Sequence, residues 1–242
     1  MRYLAVVSYD GSKYAGWQVQ PNATSIEEEI EKVISKVLNK ETKIVGSGRT
    51  DAGVHALAQT FHFDSKELVD LGKFTYSVNC LLPDDIHVSS VSAVPDYFHA
   101  RYNVKEKTYS YLINMGEYDV FKRNQVYQFL RKLDVEKMKE ALKQFKGKHY
   151  FGNFTTKDED EGSFIRTIYK VGLTQEGDVI KITFTGDGFM RYMVRMMVGI
   201  LIEIGLGKFE PFEVSRLLVT PHRKVISYKA PAMGLYLEKV KY

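Results

Sequence analysis

The alternation of apolar and polar positions predicts two successive modules of strands and helices. Residues 3–9 are apolar on both faces, the pattern of a central strand. Asp10-Gly11-Ser12 ends it, and residues 14–22 have no period and read as a loop. A helix follows. Thr24 with Glu27, or Ser25 with Glu28, has the capping-box spacing, and Ile26, Ile30, Val33, Ile34, Val37 and Leu38 form one stripe. Glu27, Glu28, Glu29 and Glu31 crowd its first turns, where the helix dipole favours acids, and read as scaffold. Ile44-Val45 leads into a glycine-rich stretch, and residues 58–64 form the strand after it. A less regular helix is expected over 65–82, with Cys80 inside, and a strand over 86–94. The order is β-α-β-β-α-β, that of a ferredoxin-like sheet with helices on one face and the other face free.

The second half repeats the theme. Residues 107–113 form a strand, with Tyr109, Tyr111 and Ile113 on one face by the two-residue period. Asp134 caps a helix through Phe145, and Gly147 stops it. Residues 155–162 read as a mobile, acidic loop, and 165–174 with 179–185 as a hairpin. From Phe189 to about Ile204 a helix is apolar around nearly its whole circumference, so it is buried on most sides. Arg191 and Arg195 lie on it four apart. A buried guanidinium needs a partner, so one is expected to reach solvent and the other to meet a carboxylate, with Asp51 the candidate. A short helix near 211–218 and a last strand within 228–239 complete the chain. The expected domains are 1–100 and 101–242.

Composition adds limits. The 242 residues, 44% hydrophobic and 26% charged, are those of an ordinary soluble globule. A formal charge of +4 is compatible with a nucleic-acid partner. The single cysteine, Cys80, excludes an internal disulfide and a cysteine metal cluster. The first strand lacks a signal peptide's apolar region. The most hydrophobic segment is short for a bilayer and carries Arg191, Arg195 and Glu203. These features lead to the expectation of a cytoplasmic protein with no membrane contact.

The candidate chemistry lies in Gly46-Ser47-Gly48-Arg49-Thr50-Asp51-Ala52-Gly53-Val54-His55-Ala56. Its glycines allow close backbone approach, and Asp51 is its only carboxylate. A loop of this kind can present one carboxylate to a ligand. A plain β-turn whose Asp bonds its own backbone fits the residues equally well. On the strand at 107–113, rings beside Arg101, Lys105 and Lys107 suit base stacking and phosphate contact, while a tyrosine-rich core face is the commoner arrangement for any single ring. A hydrolase or metalloenzyme built on Asp51 and His55 lacks any paired-ligand motif.

The run Gly48-Arg49-Thr50-Asp51-Ala52-Gly53-Val54-His55-Ala56 resembles the catalytic signature of the tRNA pseudouridine synthases that modify positions 38, 39 and 40 of the anticodon arm. Further resemblance lies in Gly16-Trp17-Gln18-Val19-Gln20, in the strand of Tyr109, in Phe189, Met193, Val194, Arg195 and Gly199, and in Ala230-Pro231-Ala232-Met233-Gly234-Leu235. It runs through essentially the whole chain, in order. The resemblance implies two ferredoxin-like, RRM-like domains whose antiparallel sheets join into one extended sheet with a central cleft. It implies Asp51 as catalytic residue, Arg195 as its salt-bridge partner and Tyr109 as the ring that stacks on the target uracil. It implies Arg49 as the residue that helps expel the target base, with Gln18 and Leu235 bordering the substrate and Tyr111 beside Tyr109; Arg101, Lys107 and His55 are further substrate-binding candidates from their place beside Tyr109 and Asp51. His55 reads as a residue that orders the loop rather than as a general base. Lys148, Lys157 and Arg166 are candidates for backbone contacts. The family works without a cofactor, as a homodimer on tRNA. Tyr150 stands where the family has a carboxylate, and no role follows for it. A non-catalytic RNA-binding module and a pseudouridine synthase with another RNA target are the competing readings.

Overall fold

The computed structural model describes residues 1–66, 68–158, 162–219 and 224–242. The chain divides into two compact units, Met1–Lys105 with Tyr236–Tyr242, and Glu106–Leu235. The division falls after residue 105 rather than 100, and the last seven residues return to the first unit. Both units are mixed α+β structures.

In the first unit the order is β1 (Arg2–Tyr9), α1 (Ile26–Val37), β2 (Ile44–Gly46), β3 (His55–Asp64), α2 (Leu71–Asn79) and β4 (Ile86–Val94), with β10 (Leu235–Lys241) from the end of the chain. The expected β-α-β-β-α-β order is present. β1 is central, antiparallel to both β3 and β4. Its odd residues Tyr3, Ala5, Val7 and Tyr9 are buried, while Leu4 and Val6 on the opposite face are only half-buried. So one face carries the core, although the sequence is apolar on both. There Tyr3 stacks on Phe63 and Phe63 on Phe74 of α2, with centroids 5.4 and 5.3 Å apart. β10 runs parallel to β3, which makes the sheet mixed rather than wholly antiparallel.

Ser25 is the residue that caps α1, accepting from the Glu28 N–H at 3.3 Å. α2 is shorter than its pattern suggested. Asp70 caps it through the Lys73 N–H, and Cys80 lies exposed just past its end. Asn79 then ties that end to β4 by two 2.8 Å hydrogen bonds with the Val88 backbone.

In the second unit β5 (Glu106–Asn114), β9 (Val179–Gly186), β8 (Ile165–Glu176) and β7 (Gly147–Tyr150) form antiparallel neighbours, and β6 (Tyr127–Gln128) pairs parallel with β5. α3 (Val135–Lys143) packs on α4 (Met193–Gly205) and β8, and α5 (Glu213–Val219) on β7. Phe145, Phe151, Phe154 and Phe184 form the aromatic centre of this core. Part of the acidic loop expected at 155–162, residues 159–161, lies outside the described residues.

α4 is the most buried helix, as its composition requires. It starts at Met193, four residues later than the pattern predicted. Tyr192 before it is left-handed, with φ 60° and ψ 0°, and a bulky residue in that conformation interrupts a helix. Arg191 is therefore outside the helix rather than on it, and it is exposed, as expected of one of the two arginines. No helix among the described residues is long and apolar enough to cross a membrane.

Candidate active site

In the first unit the site is a loop between β2 and β3. Its backbone is fixed from below by residues 11–17. The Trp17 N–H donates to Thr50 O at 3.1 Å, and the Gly53 N–H to Tyr14 O at 3.3 Å. The Val54 N–H closes a turn onto Asp51 O at 3.1 Å. Two close approaches demand glycine. A Cβ on Gly11 would overlap the Val54 carbonyl, and one on Gly16, where φ is +95°, would lie 2.5 Å from Thr50 O. Tyr9 reaches the same loop through a 2.9 Å hydrogen bond with Thr50 Oγ1, and burial pushes its phenol pKa up. Asp51 is thus held half-buried on a frame made mostly of backbone. From the other side, the Gln59 amide donates to Gly48 O at 2.9 Å and accepts from Ser47 Oγ at 2.6 Å.

His55 opens β3 and is only 2% exposed. Its ring stacks on Tyr236 at 4.7 Å, and its Nδ1 lies 3.2 Å from both the Gly11 N–H and an Asp10 carboxylate oxygen. A ring so enclosed is placed to order the loop.

Arg49 is exposed but aimed. Its Nε donates to Gln18 Oε1 at 2.8 Å, and the Gln18 amide donates to Glu27 Oε2 at 2.8 Å. Glu27 is buried and also accepts from Trp17 Nε1 and the Val19 N–H, at 3.2 and 3.1 Å. Desolvation raises its pKa, opposed by the donors around it. Glu27 is therefore more than part of an acidic first turn. It anchors a relay that ends on Arg49. The signal was present in the sequence, since Glu27 shares the apolar face of Ile30 and Ile34, where a carboxylate must find donors.

In the second unit, Tyr109 and Tyr111 leave β5 on the same side. Tyr109 is 8% exposed, and its ring meets Phe189 edge-on at 5.1 Å. Tyr111 is fully buried, its hydroxyl donates to Pro231 O at 2.7 Å, and burial raises its pKa well above the usual phenol value. Its ring packs beside Gly234 and edge-on to Tyr127. A Cβ at Gly234 would press on Leu112 O and the Tyr111 ring, so the segment before β10 packs flat against β5. Leu235 is buried at the end of that segment.

Arg195 projects half-buried from the first turn of α4. Its Nε donates to Ala230 O at 2.8 Å, and the Ala230 N–H returns to Arg195 O at 3.0 Å. The second unit so brings Arg195 together with the Ala230–Leu235 segment and Tyr111. Arg101 and Lys105 are exposed and belong to the first unit, whereas Lys107 belongs to the second. Lys148 is exposed on β7. The Lys157 ammonium is turned inward onto Gly162 O and Ser163 O, and Arg166 donates to Ser163 O and Ile165 O. Of the two, only Lys157 is buried. Among the described residues no three His, Cys, Asp or Glu side chains gather as a metal-ligand set.

The tRNA pseudouridine synthase family model matches residues 5–103 and 141–242. The chain belongs to the tRNA pseudouridine synthase family. Full-length relatives agree. A tRNA pseudouridine synthase A of Bacillus licheniformis is 40% identical over 245 residues, covering 100% of this chain and 99% of the relative. Its counterpart from Exiguobacterium is 41% identical over 241 residues, covering 100% and 98%. That of Bacillus subtilis is 38% identical, covering 100% and 99%. A solved Cbf5–Nop10–Gar1 complex aligns with 83% of this chain and 53% of its own at 16% identity and a TM-score of 0.37, too loose a likeness to bear on fold or function.

Proposed function

We propose that this protein isomerises uridine to pseudouridine at positions 38, 39 and 40 in the anticodon arm of tRNA. Membership of the family supports the reaction, and the signature block around Asp51 supports the target positions. The reaction breaks the N1–C1′ glycosidic bond, turns the uracil and joins C5 to C1′, after which C5 gives up its proton. Atoms are conserved within one nucleoside and no redox change occurs, so no cofactor is invoked.

Asp51 is the catalytic carboxylate, attacking uracil C6 or ribose C1′ as a nucleophile, or serving an elimination that runs through a glycal. In this account Arg195 pairs with it, keeping it ionised and aimed, because an opposite charge in salt-bridge range lowers a carboxylate pKa. Tyr109 stacks on the freed ring. The target must leave its stack first, and Arg49, steadied by Gln18, takes the space it leaves. Lys107 and Arg101 contact the backbone. A homodimer carries one tRNA across both subunits. The observation that bears most of the weight is Asp51 on a loop fixed by Gly11 and Gly16. Incubation with unmodified tRNA, followed by mapping of pseudouridine at single-nucleotide resolution, tests the proposal. New pseudouridine at positions 38–40 is expected, and none anywhere would overturn it.

A further inference from the structure

Three cations converge on one ring in the second unit. The Lys229 ammonium lies 4.2 Å from the centroid of Tyr192, the Arg191 guanidinium 5.0 Å and the Arg195 guanidinium 5.3 Å. Arg191 Nη2 also donates to the Tyr192 hydroxyl at 3.2 Å. Arg191 and Lys229 are exposed and the ring between them is half-buried. The backbone is fixed at each of these points. Thr155 Oγ1 donates to Arg191 O at 2.8 Å, and the residue after Lys229 is tied to Arg195 by two hydrogen bonds. Tyr192 is held in the left-handed region, a conformation that is strained in a bulky residue and persists only where its surroundings impose it.

The balance of forces favours an anion here. Each cation–ring contact is weakly favourable at an exposed site. Arg191 and Lys229, the two exposed cations, lie within about one Debye length, roughly 10 Å, of one another and repel. An anion placed between them is attracted by both. Lys229 makes no ion pair among the described residues. We propose that Arg191, Tyr192 and Lys229 form a phosphodiester subsite for the RNA backbone beside Arg195. The inference rests on the reading that the substrate is tRNA, and it deepens that reading. Because Arg195 shares the ring, the phosphate held is one next to the target nucleotide. The ring is the scaffold that spaces the cations. A base stacked on it would have to displace Lys229 from its face.

The test is direct titration of fluorescent unmodified tRNA between about 50 and 250 mM salt, with turnover at saturating tRNA measured alongside. Lys229→Ala is expected to weaken binding by roughly three- to tenfold near 100 mM salt. The slope of log affinity against log salt should fall by about 0.7–0.9, the value of one released phosphate contact. Lys229→Arg should restore both, and Arg191→Ala should act in the same direction. Lys36→Ala, on the outer face of α1, should change neither. A Lys229→Ala protein with an unchanged salt slope would overturn the subsite, whether or not its affinity falls. So would a loss confined to turnover. Binding and salt slope are read without catalysis, so a wild-type protein that binds tRNA but forms no pseudouridine would defeat the functional reading and leave this test intact.

Discussion

Asp51 and Arg195 sit on supports of different kinds. The Asp51 loop is held by backbone hydrogen bonds to residues 14–17 and by two glycines that admit neighbouring carbonyls. Arg195 sits on a helix whose position comes from burying Met193, Val194, Met196, Met197, Val198 and Ile200. The first support is precise but thin, since small chemical changes in the backbone move it. The second is thick, since many dispersion contacts share the load. A loop can thus be ruined catalytically with little loss of stability, whereas damage to the helix should appear first as lost stability.

Gly16→Ala should break the loop side of this contrast. A methyl group at φ +95°, pressed on Thr50 O, displaces residues 50–52, and a shift of about 1 Å at a reacting group costs on the order of a hundredfold in rate. Assayed as folded protein, the variant should lose that much kcat/KM on tRNA, although its urea midpoint also falls because an L residue at this φ is strained. Wild-type kcat/KM in the folded variant would contradict the contrast.

Gly199→Ala probes the other side. Its Cβ would lie 2.5 Å from Tyr228 O, inside a packed interface, and overpacking of this kind costs roughly 1–3 kcal/mol. Urea unfolding should show that loss. Unchanged stability would mean that the helix is less firmly seated than its burial implies.

Much of this was legible beforehand. The strand at 86–94 and the hairpin at 165–174 and 179–185 follow from the pattern, and α1 from its stripe and cap. The Asp51 loop was found because glycine, Thr and Asp interrupt every period. The surroundings of Tyr111 were not legible, because the two-residue period says that Tyr109 and Tyr111 share a face and not which ring is enclosed, whereas the loop-ordering place of His55 could be read. The start of α4 was misplaced because φ at Tyr192 is set by tertiary contacts that no local pattern records. Glu27 lay in plain view on an apolar face and was absorbed into the acidic turn beside it.

His62, on the strand that leaves the loop, sharpens the comparison through pH. Burial, with help from Arg2 and His99, lowers its pKa to about 4, and its Nδ1 accepts the Ala100 N–H at 3.1 Å. The unfolded chain takes up the proton first. The stabilisation is therefore complete above pH about 6.5 and is lost as pH falls towards 4, by about 2 kcal/mol at pH 5. His62→Asn keeps an acceptor but cannot titrate. Urea unfolding at pH 8 and pH 5 should show a smaller drop for the variant, and an equal drop would assign the acid sensitivity elsewhere.

The smallest effect is expected at the relay. Gln18→Ala frees Arg49 from its aim without touching Asp51 or the core. kcat should fall by about tenfold, the value of one charge-assisted hydrogen bond, with binding of tRNA nearly unchanged. A loss in binding alone would make Gln18 a contact residue instead.

The most direct test replaces Asp51 with Asn, which keeps the size and shape of the side chain and removes the carboxylate on which the proposed reaction depends. Wild type and variant are given the same unmodified tRNA, and binding and pseudouridine formation are measured separately. The account predicts wild-type affinity, to within a few-fold, with no pseudouridine formed over many wild-type turnovers. Pseudouridine appearing at a rate near that of the wild type would contradict it.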